Sequence, residues 1–283
     1  MGALRLRKVS MRLGFWLGLV GLGYLLIGPG GRGTRVAAQS TAEGPAYSRK
    51  NSFEVFGEYS NTSSHILLGQ ARDRRLGTLG LGYSHRLLLN RRIDLQYQAE
   101  WRPVVMESDP VVGVLDVGSI TFSTPNGPVT SPLRSTSSSV QVNPCVPNVK
   151  QVTLPPEGVI LADSYTATTS CSRVWNFAQG LSPAGLKLNF FPRHRIQPLL
   201  SWQGGYLFST TPIPVADAGS FNFTVEFGAG LEFYRSRERT DSWLGNRTLR
   251  VEYRIHHFSN AYSAAANPGV DNGLVQLTYT FGR

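Results

Sequence analysis

The chain has 283 residues, a formal net charge of +10 at pH 7 and two cysteines, a length that carries one large domain or two small ones. Six of its basic residues and none of its acids fall in residues 1–38, so the remainder carries a formal charge of +4. The high overall charge is therefore mainly a targeting feature, and no basic-aromatic cluster in the remainder suggests nucleic acid as a partner.

Residues 1–38 read as a cleaved signal peptide. Arg5, Arg7, Lys8 and Arg12 form a basic leader, LGFWLGLVGLGYLLIG an apolar run, and RVAAQS places Val36 and Ala38 ahead of a cleavage point at Gln39. As a membrane anchor the run is short and glycine-rich against the roughly 20 apolar residues that a spanning helix needs. An exported chain of residues 39–283 is expected as one domain. Cys145 and Cys171 suit an oxidising compartment and one loop-stapling disulfide. Without matching histidines they make a poor zinc site, and neither adjoins the cleavage point as a lipoprotein cysteine would.

Beyond residue 40 the repeating signal is alternation of period two, the mark of half-buried strands. It covers 53–59, 76–85, the segment RIDLQYQAEW, 185–191, 197–208, FNFTVEFGAGLEF, 247–259 and 274–281, about eight strands in all. Each is near the ~9–11 residues with which a tilted strand crosses a bilayer. In FNFTVEFGAGLEF, Phe221, Phe223, Val225, Phe227, Ala229, Leu231 and Phe233 share one face, opposite Asn222, Glu226, Gly228, Gly230 and Glu232. A soluble sandwich would also alternate, but its polar face would meet water. Here that face mixes glycines with acids and bases, which suits the crowded interior of a small closed barrel. The prediction is an all-β fold: an eight-stranded antiparallel transmembrane β-barrel of the bacterial outer membrane.

Short connections at LLLNRR and FPRHR mark the periplasmic side, and one long connection over about 104–183 marks the outside. That connection is expected to be a lid, a surface cap or partly disordered. RSRERTDSWLGN is longer than a periplasmic turn needs. With the N-terminus periplasmic, the strand 247–259 runs outward, and its end lies at the level of the outer leaflet.

That strand carries the candidate chemistry. In RTLRVEYRIHHFS, the face of Leu249, Val251, Tyr253 and Ile255 continues into His257 and Ser259. An imidazole and a hydroxyl on a lipid-facing side, two residues apart, can form a base-nucleophile pair if a third group holds the base's tautomer. Asp271 supplies that carboxylate if the loop folds back and the last strand pairs with this one. Asn260, Asn267 and backbone N–H groups could stabilise an oxyanion. From spacing alone, a catalytic pair and a pair of hydrogen-bonded belt residues both stay open.

The segment HFSNAYSAAANPGVD resembles the signature of the PagL-like lipid A 3-O-deacylases: His-x-Ser-Asn-Ala, a short loop with Asn and Gly, then an acidic or amide residue. The resemblance implies an eight-stranded outer-membrane barrel, a carboxylic ester hydrolase that removes an acyl chain, expected to be the 3-O-hydroxyacyl chain, from lipid A of lipopolysaccharide. It implies His257 as base, Ser259 as nucleophile and Asn267 as a contributor to the oxyanion hole. Asp271 stands where the family carries a Glu, one methylene longer, and the 104–183 connection exceeds what a compact member needs.

Alternation points His256 into the barrel beside Arg250, Glu252 and Arg254, as a network member with a lesser claim to be the base. His65, His85 and His194 are scattered and read as structural or solvated, and Glu226 with Glu232 as partners of interior arginines rather than a glycosidase pair. No cofactor or metal is expected, the partners are lipid A and membrane lipid, and homodimerisation is left open. The competing reading is a non-enzymatic barrel for adhesion through the long loop; a pore is disfavoured because eight strands leave an interior filled by side chains.

Overall fold

The computed structural model of the chain describes residues 46–155, 157–235 and 247–282. The segment read as a signal peptide and most of RSRERTDSWLGN lie outside the described residues. Ten strands and no helix occur among them: β1 Asn51–Ser60, β2 Arg75–Leu89, β3 Ile93–Thr124, β4 Gly127–Val140, β5 Asn148–Leu154, β6 Ile160–Phe190, β7 Ile196–Ser209, β8 Phe221–Tyr234, β9 Arg247–Ser259 and β10 Val270–Gly282.

Eight of these close into a ring. Neighbours β3-β2-β1-β10-β9-β8-β7-β6 pair in order, all antiparallel, and β3 pairs back to β6. Closure removes both sheet edges, so every barrel strand has a neighbour on each side. Outward positions are large and apolar, including Phe53, Leu79, Phe208, Phe227, Tyr253 and Leu277. Polar groups are buried inside. In water this surface would be a severe aggregation liability; in hydrocarbon it is the solvated face. The chain is a transmembrane barrel of the outer-membrane type.

The interior is a lattice of guanidinium-carboxylate pairs. Arg254 bonds Glu100, Glu226 and Glu252 at 3.1 Å each. Arg102 reaches Glu100 and Glu226 at 2.8 Å, Arg250 reaches Glu54 at 2.8 Å, and Lys187 reaches Glu232 at 3.2 Å. Sharing each cation among several carboxylates is what makes burying them tolerable. Glycine gives the lattice room: a Cβ on Gly80 would come within 2.2 Å of the Phe56 ring, which lies under the Arg102 guanidinium.

Above the lattice, at the long-loop end, the filling changes to an apolar plug of Leu76, Val105, Ala178, Leu207, Phe258, Val270 and Leu274, capped by Ala71 and Ile213 from loops. Arg74, buried beside the plug, ties the rim together. It donates to Asp109 at 3.0 Å and to the carbonyls of Arg72, Val142 and Pro214 at 2.6, 2.8 and 3.1 Å.

The long connection over 104–183 is built as sheet. Its first and last residues continue the barrel ladder, with Ser108 facing Arg75 and Ala178 facing Ser209. β3 and β6 then run on past the ring as a paired ribbon to Phe122 and Ile160. β4 and β5 add to its two edges, giving the order β4-β3-β6-β5. Alternation did not announce this ribbon because both its faces carry Ser and Thr. Its β-branched Val, Ile and Thr content supplies the strand preference instead. Cys145 and Cys171 form a disulfide with their Cα atoms 5.7 Å apart, fastening the β4–β5 connection to β6.

The ring closes without the ribbon's outer part, since β3 and β6 pair within the barrel from Ile93 to Pro110. Replacing residues 113–170 by a short turn, with Cys171→Ser, is expected to leave a closed barrel of reduced stability, because Arg74 loses its partners at Gln141 and Val142. Heat-modifiable migration on a detergent gel reads the outcome; an unfolded product would mean that the ribbon is needed to close the ring.

Candidate active site

His257 lies near the end of β9 on the outward face, and its cross-strand partner on β10 is Asp271. Directly opposed residues on one face have Cβ atoms about 4.5–5.5 Å apart, so the pairing register alone brings imidazole and carboxylate together. His257 Nδ1 is 2.6 Å from Asp271 Oδ1. A carboxylate acceptor there requires the proton on Nδ1, which leaves Nε2 as the basic edge. Among the described residues Nε2 has no hydrogen-bond partner.

The other carboxylate oxygen is held by a loop. Asp271 Oδ2 accepts from the backbone N–H groups of Ile66, Leu67 and Gly69 at 3.0, 2.5 and 2.9 Å. The β1–β2 loop is itself sewn down by Ser64 N–H to Asp271 O, by Ala71 N–H to Gly269 O, and by His65 Nδ1 against Gly69 O at 2.7 Å. Asp271 is completely buried, while the His257 side chain keeps 13% of its surface exposed. Such a clamp fixes the carboxylate's rotamer and so the plane of the imidazole. Gly69 permits it, because a Cβ there would fall 2.5 Å from Asp271 N and 2.8 Å from its carboxyl carbon.

Ser259 stands two residues farther along the same face, half-buried, opposite Phe223 of β8. No hydrogen bond joins its hydroxyl to His257, though both project from one side of the strand within about 7 Å of Cα spacing. Phe223 is half-exposed and packs edge-on against Phe221, centroids 5.1 Å apart, and Phe221 stacks on Tyr206 at 5.9 Å. An aromatic shelf thus adjoins the serine on the lipid side.

The β9–β10 loop contains both amides singled out by sequence. Asn260 is buried, and its side chain organises the loop: Nδ2 donates to Ala266 O at 2.7 Å and Oδ1 accepts from Tyr262 N–H at 3.0 Å. That framework holds Ala261 and Tyr262 at φ of 51° and 64°, a region that side-chain-bearing residues visit rarely. The amide of Asn260 is thereby committed to the loop rather than turned to the site. Asn267 accepts from Asn260 N–H through Oδ1 at 3.1 Å, leaving its Nδ2 without a partner among the described residues.

The remaining candidates sit apart. His256 points inward, buried, 3.7 Å from Glu226. His85 bonds Asn51, and His194 packs on Phe191 in a turn. Glu232 is held by Lys187, Asn189 and Thr248. Glu58, Glu100 and Glu226 converge closely, but Arg102 and Arg254 occupy the place where a cation would sit. Sequence reasoning missed the whole 64–69 clamp. Its donors are backbone groups, which no side-chain pattern advertises, and only Gly69 hints at a close approach.

Residues 159–280 match the family model described as lipid A 3-O-deacylase (PagL). Over those residues the chain is similar to that family. The matched span holds β6 to β10 and both sides of the His257–Asp271 pair. Among solved structures, the outer membrane enzyme PagL aligns at 14% identity over 81% of this chain and 99% of its own, with a TM-score of 0.41. The β domain of the Bordetella autotransporter BrkA aligns at 13% identity over 83% of this chain and 99% of its own, with a TM-score of 0.25. No curated protein matches the chain.

Gly69→Ala is expected to push the loop off Asp271 and release the imidazole. Its signature is loss of activity of at least about 100-fold in a barrel that still folds, because misplacement of catalytic groups by about 1 Å carries that cost. Unchanged turnover in a folded Gly69→Ala barrel would show that activity does not depend on the clamp.

Proposed function

We propose that this chain is a lipid A deacylase of the outer membrane that cleaves an ester-linked acyl chain, the 3-O-hydroxyacyl chain by its family likeness, using Ser259, His257 and Asp271. The observation that carries this reading is the His257–Asp271 hydrogen bond of 2.6 Å on the outward face of a membrane barrel. A water-soluble substrate would hardly be met there, whereas a lipid ester in the outer leaflet lies in the plane of the site. The short turns at Asn90 and at residues 191–195 belong at the periplasmic end, which puts His257 and Ser259 at the outer one.

In this mechanism the Ser259 hydroxyl attacks the ester carbonyl as Nε2 of His257 takes its proton. Asp271 keeps the imidazole in the Nδ1–H tautomer and stabilises the imidazolium that forms. The carbonyl oxygen becomes an oxyanion, for which the unengaged Nδ2 of Asn267 is the side-chain donor. Protonated His257 then returns the proton to the departing sugar hydroxyl. Water, activated by the same imidazole, hydrolyses the acyl-serine and releases a fatty acid. Ser259 must approach Nε2 when substrate seats, a tightening common between free and substrate-bound hydrolases. The Phe223–Phe221–Tyr206 shelf offers the acyl chain an apolar surface. The shorter Asp271 still reaches His257 because it stands directly opposite on the neighbouring strand.

The test is mass spectrometry of lipid A incubated with the refolded barrel. The wild-type chain is expected to release one hydroxyacyl mass. Ser259→Ala and His257→Ala should lower the rate by roughly 10⁴–10⁶-fold, as loss of a triad member does elsewhere. Full activity in Ser259→Ala would remove the serine from the mechanism. No mass change with folded wild-type protein on several lipid A types would shift the reading to a barrel acting through its extracellular ribbon.

A further inference from the structure

At the opposite, short-turn end the barrel carries a second lipid-facing feature that catalysis does not use. Ile196, Phe233, Leu249 and Tyr279 are consecutive cross-strand partners on β7, β8, β9 and β10, so they form one lateral row on the outward face. All four are substantially exposed. Just beyond the row, toward the periplasm, stand Arg195, Arg235 and Arg247. Together these residues line a groove of about 560 Å³.

The groove is amphiphilic in one direction: a hydrocarbon floor below, guanidinium groups at the lip. Arg195 is anchored by an Nε–H donated to the Tyr234 carbonyl at 2.9 Å. The Arg235 backbone N–H donates to Arg247 O at 3.4 Å, which draws the ends of β8 and β9 together. Among the described residues no carboxylate pairs with Arg195 or Arg235. The barrel interior, by contrast, gives each of its buried cations a carboxylate. Guanidinium forks match phosphate oxygens in a bidentate geometry, and basic pockets beside apolar membrane surface hold anionic head groups.

We infer that this groove binds an anionic glycerophospholipid of the periplasmic leaflet, its phosphate against Arg195, Arg235 and Arg247 and an acyl chain along Ile196, Phe233, Leu249 and Tyr279. Charge complementarity selects the occupant: a zwitterionic lipid brings its own cation to the lip, and a free phosphate leaves the apolar row uncovered. The site faces the leaflet opposite the one where the proposed substrate lies, so it stands independently of the esterase reading.

The experiment is native mass spectrometry of the full chain, refolded in a neutral detergent and titrated with phosphatidylglycerol or phosphatidylcholine of matched acyl chains. Wild type is expected to retain phosphatidylglycerol about tenfold better, and the preference to vanish in the triple variant Arg195→Gln, Arg235→Gln, Arg247→Gln. Should that variant fail to fold, the same loss of preference in wild type at high salt serves as the readout, because the contacts are exposed and screened. Equal retention of the two lipids by wild type, or a preference that survives in the folded triple variant, overturns the site. Displacement of the bound lipid by millimolar inorganic phosphate reassigns the arginines to a free anion and also overturns it. Turnover by the triple variant should equal wild type, since none of the three touches the catalytic face.

Discussion

A strand in hydrocarbon has no water to satisfy its N–H and C=O groups, so the sheet must close upon itself. The return pairing of β3 onto β6, from Ile93 opposite Phe190 upward, meets that demand. Closure then dictates the rest. Side chains are sorted into lipid-facing and enclosed sets, and the enclosed set has to fill and neutralise a narrow core. Arg102, Arg250 and Arg254 do so by each bridging several glutamates. The outcome is a rigid wall, and a rigid wall can hold two outward side chains on neighbouring strands in a fixed relation.

The site exploits that rigidity on the side facing lipid. His257 and Asp271 meet because β9 and β10 pair in one register; a slip of one residue would turn one of them inward. The carboxylate is nevertheless dry. The β1–β2 loop covers it and supplies three backbone donors, so an acid on the outside of a barrel is as enclosed as one in a soluble enzyme's core. Ser259 remains less covered, beside the aromatic shelf. A buried carboxylate backs a half-buried imidazole, with a half-buried hydroxyl farther along the same face, and the proposed attack on a lipid ester draws on that arrangement.

Above the bilayer, the ribbon of β3 and β6 answers to different physics. It is bathed in water on both faces, so it needs no apolar stripe. Its stability comes from β-branched residues, edge strands β4 and β5, and the Cys145–Cys171 bond. Arg74 joins this structure to the rim through carbonyls on three separate segments, including Val142 beside the ribbon and Pro214 in the β7–β8 loop. The proposed phospholipid groove at the far end follows the barrel's own logic: an outward apolar row ends where head groups begin, with arginines at its lip.

Alternation of apolar and polar residues, being strictly local, let the sequence determine the fold class, most strand positions, the inward set that includes His256, and the outward run Tyr253–Ile255–His257–Ser259. The motif HFSNAYSAAANPGVD likewise identified the three residues of the proposed chemistry. Other features depended on segments distant along the chain, and tertiary structure alone decided them. The ribbon's strands lack an apolar face, so no alternation in 111–172 set them apart from a loop. Asn260 looked equivalent to Asn267 until the loop's folding committed its amide to Ala266. The clamp on Asp271 joins residues about 200 positions apart through backbone N–H groups, and every residue except proline carries one. A linear pattern shows which way a side chain points; only closing the barrel determines what it meets.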